Sequence, residues 1–483
     1  MQMSTLSDKL RAAFVLSAAL LAAGLVFTRV LSLDSTLLLG AALCGAGLSA
    51  YLGFRFPLTT LVLTIFFGQA VDRDLIEIEW VIHYSVAGIK LRYFDPILLA
   101  IFAALTLRLF ATDNRLSRYL FLTGGLWTVF MVWMSMQSVR TLGIYGPVAS
   151  IGELRTYYQY MLVIPYTVSF FRTEAAQWRL FKVLMITGFL FAFMSILRGG
   201  LDFGFQIGPR WFNASSNFAL LTGLVSLLVA AKLKTIHLKD HHITLLSVLF
   251  VFLTVVNTHR SVWLATFVAI SLLVLLRIIP LKRYIQLSVA IIIASVAVTI
   301  IFPYVGLADE GLSEFLQRRF RAFTDYESDP TASWRSFLWA QVVEIIRTHP
   351  WLGVGLGNNF QLWGPDGNIW TVSPHNHYLM VGYHAGVTGI VLYALFVLQF
   401  AYHLLRQLAQ SLTARQRTML MSTLINCVAA HFLFVAYPHE FYTVLYMGLG
   451  AAIIVSRVQQ PVHALRGLSA RLDALRPPEQ AHT

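Results

Sequence analysis

The chain is poor in charge: Asp, Glu, Lys and Arg make up 12% of its 483 residues, against 57% apolar residues, where a soluble domain carries roughly 25% charged residues. That balance excludes an ordinary soluble domain carried on one apolar anchor. Cysteine is nearly absent as well. Cys44 and Cys427 stand far apart inside apolar segments, which excludes a disulfide framework and a cysteine-based metal site. Alternating apolar and polar strands are missing, which argues against a transmembrane barrel, and no internal repeat is found. In their place stand long uncharged runs. Residues 12–28, 242–256 and 284–302 approach the ~20 residues that a helix needs to cross ~30 Å of hydrocarbon. In lipid every backbone polar group must be satisfied within the protein, which leaves helices. The expected fold class is an all-α polytopic membrane protein.

Apolar segments near 12–31, 36–54, 57–70, 94–111, 119–135, 157–171, 183–198, 216–231, 242–256, 261–279, 284–303, 378–402, 418–435 and 440–456 predict a bundle of about 12 to 14 transmembrane helices. The first has no defensible small-residue cleavage site and is read as a retained helix. Four parts are expected: N-terminal transmembrane helices over 1–303, a large outer loop over 304–377, C-terminal transmembrane helices over 378–456 and a tail over 457–483.

The net charge of +13 does not point to nucleic acid, because the basic residues are spread through short connections and form no single stripe. They report orientation instead. With Lys9 and Arg11 on the cytoplasmic side, every second loop is basic, through Arg55, Arg108, Arg172, Lys232, Lys282 and Arg406 to the tail with Arg457, as the positive-inside rule requires. Both termini are then cytoplasmic. The acidic stretch Asp72, Asp74, Glu77 and Glu79 and the long loop over 304–377 face outward. That loop holds Trp334, Trp339, Trp351, Trp363 and Trp370 and an amphipathic run from Ser333 to Arg347, so it is expected to fold at the membrane surface.

Candidate chemistry gathers on the outer side. Arg210, Arg260 and Arg335 stay charged at any working pH and match phosphate oxygens in pairs, so two or three of them converging at the outer boundary would make a diphosphate clamp. Arg260 lies in a turn of a few residues between two helices, where an unpaired charge at the membrane edge is costly. Arg319 and Arg321 extend the basic surface toward an anionic ligand or lipid headgroups. His375 follows Pro374 and precedes Asn376, a helix-capping residue type. A histidine there can take a proton from a sugar hydroxyl, and on chemistry alone His377 serves equally well. Gly353, Gly355 and Gly357 resemble a phosphate loop, yet no strand precedes them, so a tight turn or nest is the expected reading. Glu153 and Arg155 are read as an ion pair, and His259 and His384 as packing residues. No histidine has a carboxylate or cysteine partner at metal-ligand spacing, so no metal is expected.

Pro374-His375-Asn376-His377-Tyr378-Leu379 followed by Gly386-Val387-Thr388-Gly389, with Trp351-Leu352-Gly353-Val354-Gly355 before it, resembles the signature of the O-antigen ligase and polymerase superfamily. Thr258-His259-Arg260-Ser261 is similar to the family's arginine turn, with His259 where a small residue is usual, and Gly208-Pro209-Arg210 through Asn217 resembles its upstream outer loop. The resemblance spans roughly residues 200 to 400. It implies a metal-independent, inverting glycosyltransferase with a GT-C-like fold in the bacterial inner membrane, needing no cofactor and working at the periplasmic face. The implied donor is a glycan on undecaprenyl diphosphate. The implied acceptor is another glycan or lipid A-core, with membrane lipids and a polysaccharide chain-length regulator as further partners and no nucleic acid. His375 would be the catalytic base and Arg210 and Arg260 would stabilise the leaving diphosphate, with Arg335, His377, Asn376, Arg319 and Arg321 as substrate-binding residues. Lys90-Leu91-Arg92-Tyr93-Phe94-Asp95 resembles exopolysaccharide members and favours polymerase over ligase. A lipid-linked glycan transporter would instead place charges mid-helix in two symmetric halves, and the sequence has neither. An envelope scaffold would not explain Arg260.

Overall fold

A computed structural model describes residues 51–65, 84–86, 89–91, 95–110, 114–203, 214–256, 260–282, 285, 289, 330–358, 361–363, 369–371, 374–435 and 442–457. The expected segments 12–31 and most of 36–54 and 284–303, the acidic stretch at 72–79 and the tail over 458–483 lie outside these residues. In chain order the helices are α1 (Pro57–Ile65), α2 (Asp95–Phe110), α3 (Asn114–Tyr119), α4 (Gly125–Met161), α5 (Val163–Phe170), α6 (Glu174–Phe203), α7 (Ala214–Lys232), α8 (Asp240–Val256), α9 (Arg260–Leu275), α10 (Pro330–Thr348), α11 (His377–Leu408), α12 (Ala414–Leu433) and α13 (Tyr442–Arg457). A π-helical turn, Leu120–Gly124, joins α3 to α4. The described residues are mainly helical, as expected, with two short antiparallel hairpins among the helices. The first pairs β1 (Tyr84–Val86) with β2 (Ile89–Leu91) and the second pairs β3 (Gln361–Trp363) with β4 (Ile369–Thr371).

Among the described residues, Leu120–Gly146 and His377–Leu408 are long and apolar enough to cross a membrane, and Asn217–Lys232, His241–Phe250, Ser261–Leu275 and Tyr442–Arg457 are shorter apolar helices. Two of these elements are not single rods. Within α4, Gly146 has φ +82° and ψ 161°, and Thr141 Oγ1 lies 3.2 Å from Ser150 Oγ across it. Nine residues of unbroken helix would set those groups ~13 Å apart, so the chain reverses at Gly146. The stretch over 136–156, expected as an outer connection between two helices, is therefore helical on both sides of a glycine turn. Likewise Gly386 has φ +69° inside α11, and the rings of His377 and Tyr393 are 4.8 Å apart. That contact spans sixteen residues. The single helix expected over 378–402 is a helical hairpin, with a short arm 377–385 and a long arm 387–408, and the long arm alone covers ~33 Å at 1.5 Å per residue.

Small and polar residues set the packing of the bundle. A β-carbon on Gly188 of α6 would stand 2.5 Å from the Ala219 carbonyl oxygen and 3.0 Å from the Gly223 Cα of α7, so the two backbones touch, as small-residue packing between membrane helices allows. The variant Gly188→Leu is expected to destabilise the bundle by about 1 to 3 kcal/mol through overpacking, read as a lower unfolding temperature in detergent. Helices α7 and α12 run antiparallel, since Asn426 Nδ2 donates to the Thr222 carbonyl at 3.5 Å while Thr235 and Thr418 hydroxyls meet at 3.1 Å. Tyr446 of α13 joins this seam through Ser226 Oγ at 2.6 Å. The apolar core around it takes in Val262, Ala265, Ala269 and Leu273 of α9 with Ile425, Ala429 and Leu433 of α12. Buried Arg115 donates to the Val168 carbonyl and to Ser456 Oγ, tying α3, α5 and α13 together.

Candidate active site

The amphipathic run read at Ser333–Arg347 is α10. Leu338 and Val342 are buried on one side, while Glu344 and Arg347 form an exposed pair on the other. Gln341 holds α10 to the second hairpin by a two-way amide contact, donating to the Trp363 carbonyl at 2.7 Å and accepting from its N–H at 2.8 Å. Its upper face meets the histidine turn. Trp339 Nε1 donates to the Pro374 carbonyl at 2.6 Å, and the Trp334 and His375 rings lie 5.9 Å apart. Half-buried Arg335 sits beside Trp334 and one turn before Trp339, hence on the same side of the helix.

His375 is half-buried and has φ +49°, a left-handed conformation that costs a residue with a side chain about 1 kcal/mol or more. The turn is over-determined on both sides. Trp339 holds its N-terminal side. On its C-terminal side Asn376 caps α11, its side chain accepting from Leu379 N at 3.1 Å and donating to the Val435 carbonyl at 2.9 Å, and His377 N donates to the Phe434 carbonyl at 2.9 Å. The ring of His377 is buried between Tyr393 and Phe434, with centroids at 4.8 and 5.1 Å. Of the two histidines left open by chemistry, His375 is the one that reaches the surface. Asn376 and His377, expected as substrate contacts, build the turn that presents it.

The glycine loop after α10 is a nest whose amides are already taken. Gly353 N donates to the His349 carbonyl, Val354 N to Tyr383 and Gly355 N to His384, at 2.8 to 3.0 Å. Gly357 N donates to a Glu153 carboxylate oxygen. The loop does meet an anion, and it is the protein's own. Arg140 of α4 clamps the Leu352 and Gly353 carbonyls at 3.1 and 2.8 Å, and Thr141 donates to Leu356 at 2.5 Å. Glu153 turns its carboxylate toward His384, whose Nε2 stands 3.2 Å away, while Tyr157 OH lies 3.0 Å from His384 Nδ1. His384 is buried and packed against Tyr157 and Tyr383, as expected of a packing residue, and its two ring nitrogens face Tyr157 and Glu153; the side chain of Arg155, the partner expected for Glu153, lies outside the described residues. The group Glu153, Tyr157 and His384 was missed in the sequence, although a carboxylate and a histidine inside apolar helices are signals in themselves.

The structure thus brings α10, the helix that carries Arg335, against the turn of His375, Asn376 and His377. Arg260 opens α9, which packs along α12, the helix whose end anchors the histidine turn; its side chain lies outside the described residues, as do Arg210, Arg319 and Arg321 and the turn residues Thr258 and His259. Asn217, at the end of the Arg210 loop, is fully buried, and neither polar atom of its side chain has a hydrogen-bond partner among the described residues. Among the described residues no three His, Cys, Asp or Glu side chains gather as a metal-binding group. Residues 245–394 match the family model described as O-antigen ligase. Over that segment, about a third of the chain, the protein is similar to the O-antigen ligase family, which supports the resemblance to the O-antigen ligase and polymerase superfamily. The family segment runs from α8 into the long arm of α11, and so contains Arg260, Arg335, the glycine loop and the histidine turn, while Arg210, Arg140 and Glu153 precede it. The match supports ligase- or polymerase-type activity and a membrane location. No curated protein matches the chain at a significant level.

Proposed function

We propose that the protein is an inverting, metal-independent glycosyltransferase of the bacterial inner membrane that polymerises O-antigen or exopolysaccharide repeat units, taking them from undecaprenyl diphosphate at the periplasmic face. The observation that carries this reading is His375, half-exposed, pinned from both sides, and facing an Arg335-bearing helix inside the family segment. As the acceptor hydroxyl oxygen attacks the anomeric carbon, His375 takes its proton. The bond from that carbon to the diphosphate oxygen breaks on the opposite face, and its electron pair leaves with the diphosphate. Arg210 and Arg260 meet that charge, with Arg335, Arg319 and Arg321 along the approach of the glycan; guanidinium groups preorganised where charge develops stabilise a transition state more than a ground state. Asn376 and His377 serve by holding His375. We place both termini in the cytoplasm, the loop over 304–377 in the periplasm, and a polysaccharide chain-length regulator among the partners.

The family description favours a second reading, a ligase that moves the finished glycan onto lipid A-core. Purified protein in lipid, given a polyprenyl-diphosphate oligosaccharide and no other acceptor, is expected to produce a ladder of lengthening carrier-linked chains. Product that forms only after lipid A-core is added would make it a ligase. No transfer under either condition sinks both readings.

A further inference from the structure

We propose that Glu153 is a positioning residue for His375, acting through the glycine loop and α10; the inference rests on the glycosyltransferase reading. Every link in the route is a contact of this structure. The Glu153 carboxylate accepts the Gly357 N–H at one end of the loop and stands against His384 of the short α11 arm. The loop is pressed so closely on that arm that a β-carbon on Gly386 would lie 2.5 Å from the Trp351 carbonyl carbon and 2.6 Å from the Pro350 oxygen. At its other end the loop continues through His349 into α10, which reaches the histidine turn through Trp334 and Trp339. Glu153 therefore fixes the loop against the short arm, and the loop fixes α10 over the residue before His375.

The residue type fits the task. A carboxylate accepts from two directions at once, so one side chain of α4 bridges a backbone amide on the loop and a side chain on the hairpin. His384 Nε2 stands 3.2 Å from that carboxylate and Nδ1 3.0 Å from the Tyr157 hydroxyl, so α4 flanks the imidazole at both nitrogens. Such an outer partner orients a working group without touching substrate, and its loss is felt through geometry.

The test reads position and activity separately. In a Cys44→Ser, Cys427→Ser background, His375→Cys is labelled with a water-soluble maleimide, with Glu344→Cys on the exposed face of α10 as reference. Adding Glu153→Ala is expected to speed labelling at 375 roughly tenfold, a coupling of ordinary size between linked sites, with no change at 344. Glu153→Gln keeps an acceptor and is expected to stay within about threefold of the parent. Glu153→Asp keeps the charge but falls short of both partners, so it is expected to fall between the two and serves if the alanine variant does not fold. In the protein that keeps His375, Glu153→Ala is expected to lower kcat ~100-fold at nearly unchanged KM for a polyprenyl-diphosphate oligosaccharide. Unchanged labelling at 375, or equal gains at 375 and 344, overturns the proposal. If the parent protein transfers no glycan the proposed function fails, and the labelling arm still decides whether Glu153 positions residue 375.

Discussion

Replacing His375 by alanine is expected to lower glycan transfer by roughly a hundred- to ten-thousandfold, the usual worth of a positioned general base, while leaving binding of the lipid-linked donor nearly intact. The structure gives a reason for that split. His375 sits outside the bundle core on a turn held by Trp339, Asn376 and His377 backbone contacts, none of which involves its own ring. Removing the imidazole therefore takes away the proton acceptor and leaves the turn. His377→Ala should behave oppositely: its ring fills the space between Tyr393 and Phe434, so its loss is expected to appear first as about 2 kcal/mol or more of lost stability. The check is initial transfer rate and donor binding measured side by side with thermal unfolding. A His375→Ala protein that transfers glycan at a rate near the parent's would remove this residue from the chemistry.

The second large effect is expected at Gly386. A side chain there meets two penalties at once: a left-handed φ of +69° and a β-carbon 2.5 to 2.6 Å from the backbone of Pro350 and Trp351. Neither neighbour is the end of a flexible side chain, so the clash is relieved only by moving the glycine loop off the hairpin. Gly386→Ala is expected to cost about 3 kcal/mol or more, in the range reserved for strain and backbone overpacking, and to uncouple α10 from α11. Gly143→Ala is the matched comparison, since a β-carbon there has nothing within 4 Å; in a helix it should be neutral or stabilise by up to ~1 kcal/mol. Thermal unfolding of the two variants in the same detergent, together with proteolysis of the segment around 349–363, checks both halves of the prediction.

What was legible in the sequence was whatever depends on local chemistry. The spacing of Trp334, Leu338, Val342 and Ile345 marks α10, and Asn376 reads as a cap because its short side chain returns to the backbone three residues on. Composition alone separates this chain from soluble domains. The reversal at Gly386 was not legible, because apolar residues run through it and glycine tolerates a left-handed φ without demanding it; at Gly146, followed by Pro147, a break was signalled, and what was not legible was the helix on both sides of it. Tertiary contacts make that choice: Ser150 folding back on Thr141, and the loop carbonyls against the hairpin. The fate of the glycine loop was hidden for the same reason. Its spacing speaks of amides presented to an anion, but only the fold shows that Tyr383, His384 and Glu153 occupy them. Arg335 could be singled out by charge, whereas only the fold shows that its helix docks on the histidine turn, through Trp339 reaching Pro374.

The hairpin form of α11 also sets the direction of its peptide dipoles. In one continuous rod from 377 to 408 all of them would add along a single axis. Folded at Gly386, the two arms oppose one another, and the short arm aims its amino end at Pro374 and His375. Roughly half a positive elementary charge gathers at such an end. An anion lying by the histidine turn would meet the positive end of that dipole, while the negative end of the long arm points to Arg406 in its last turn.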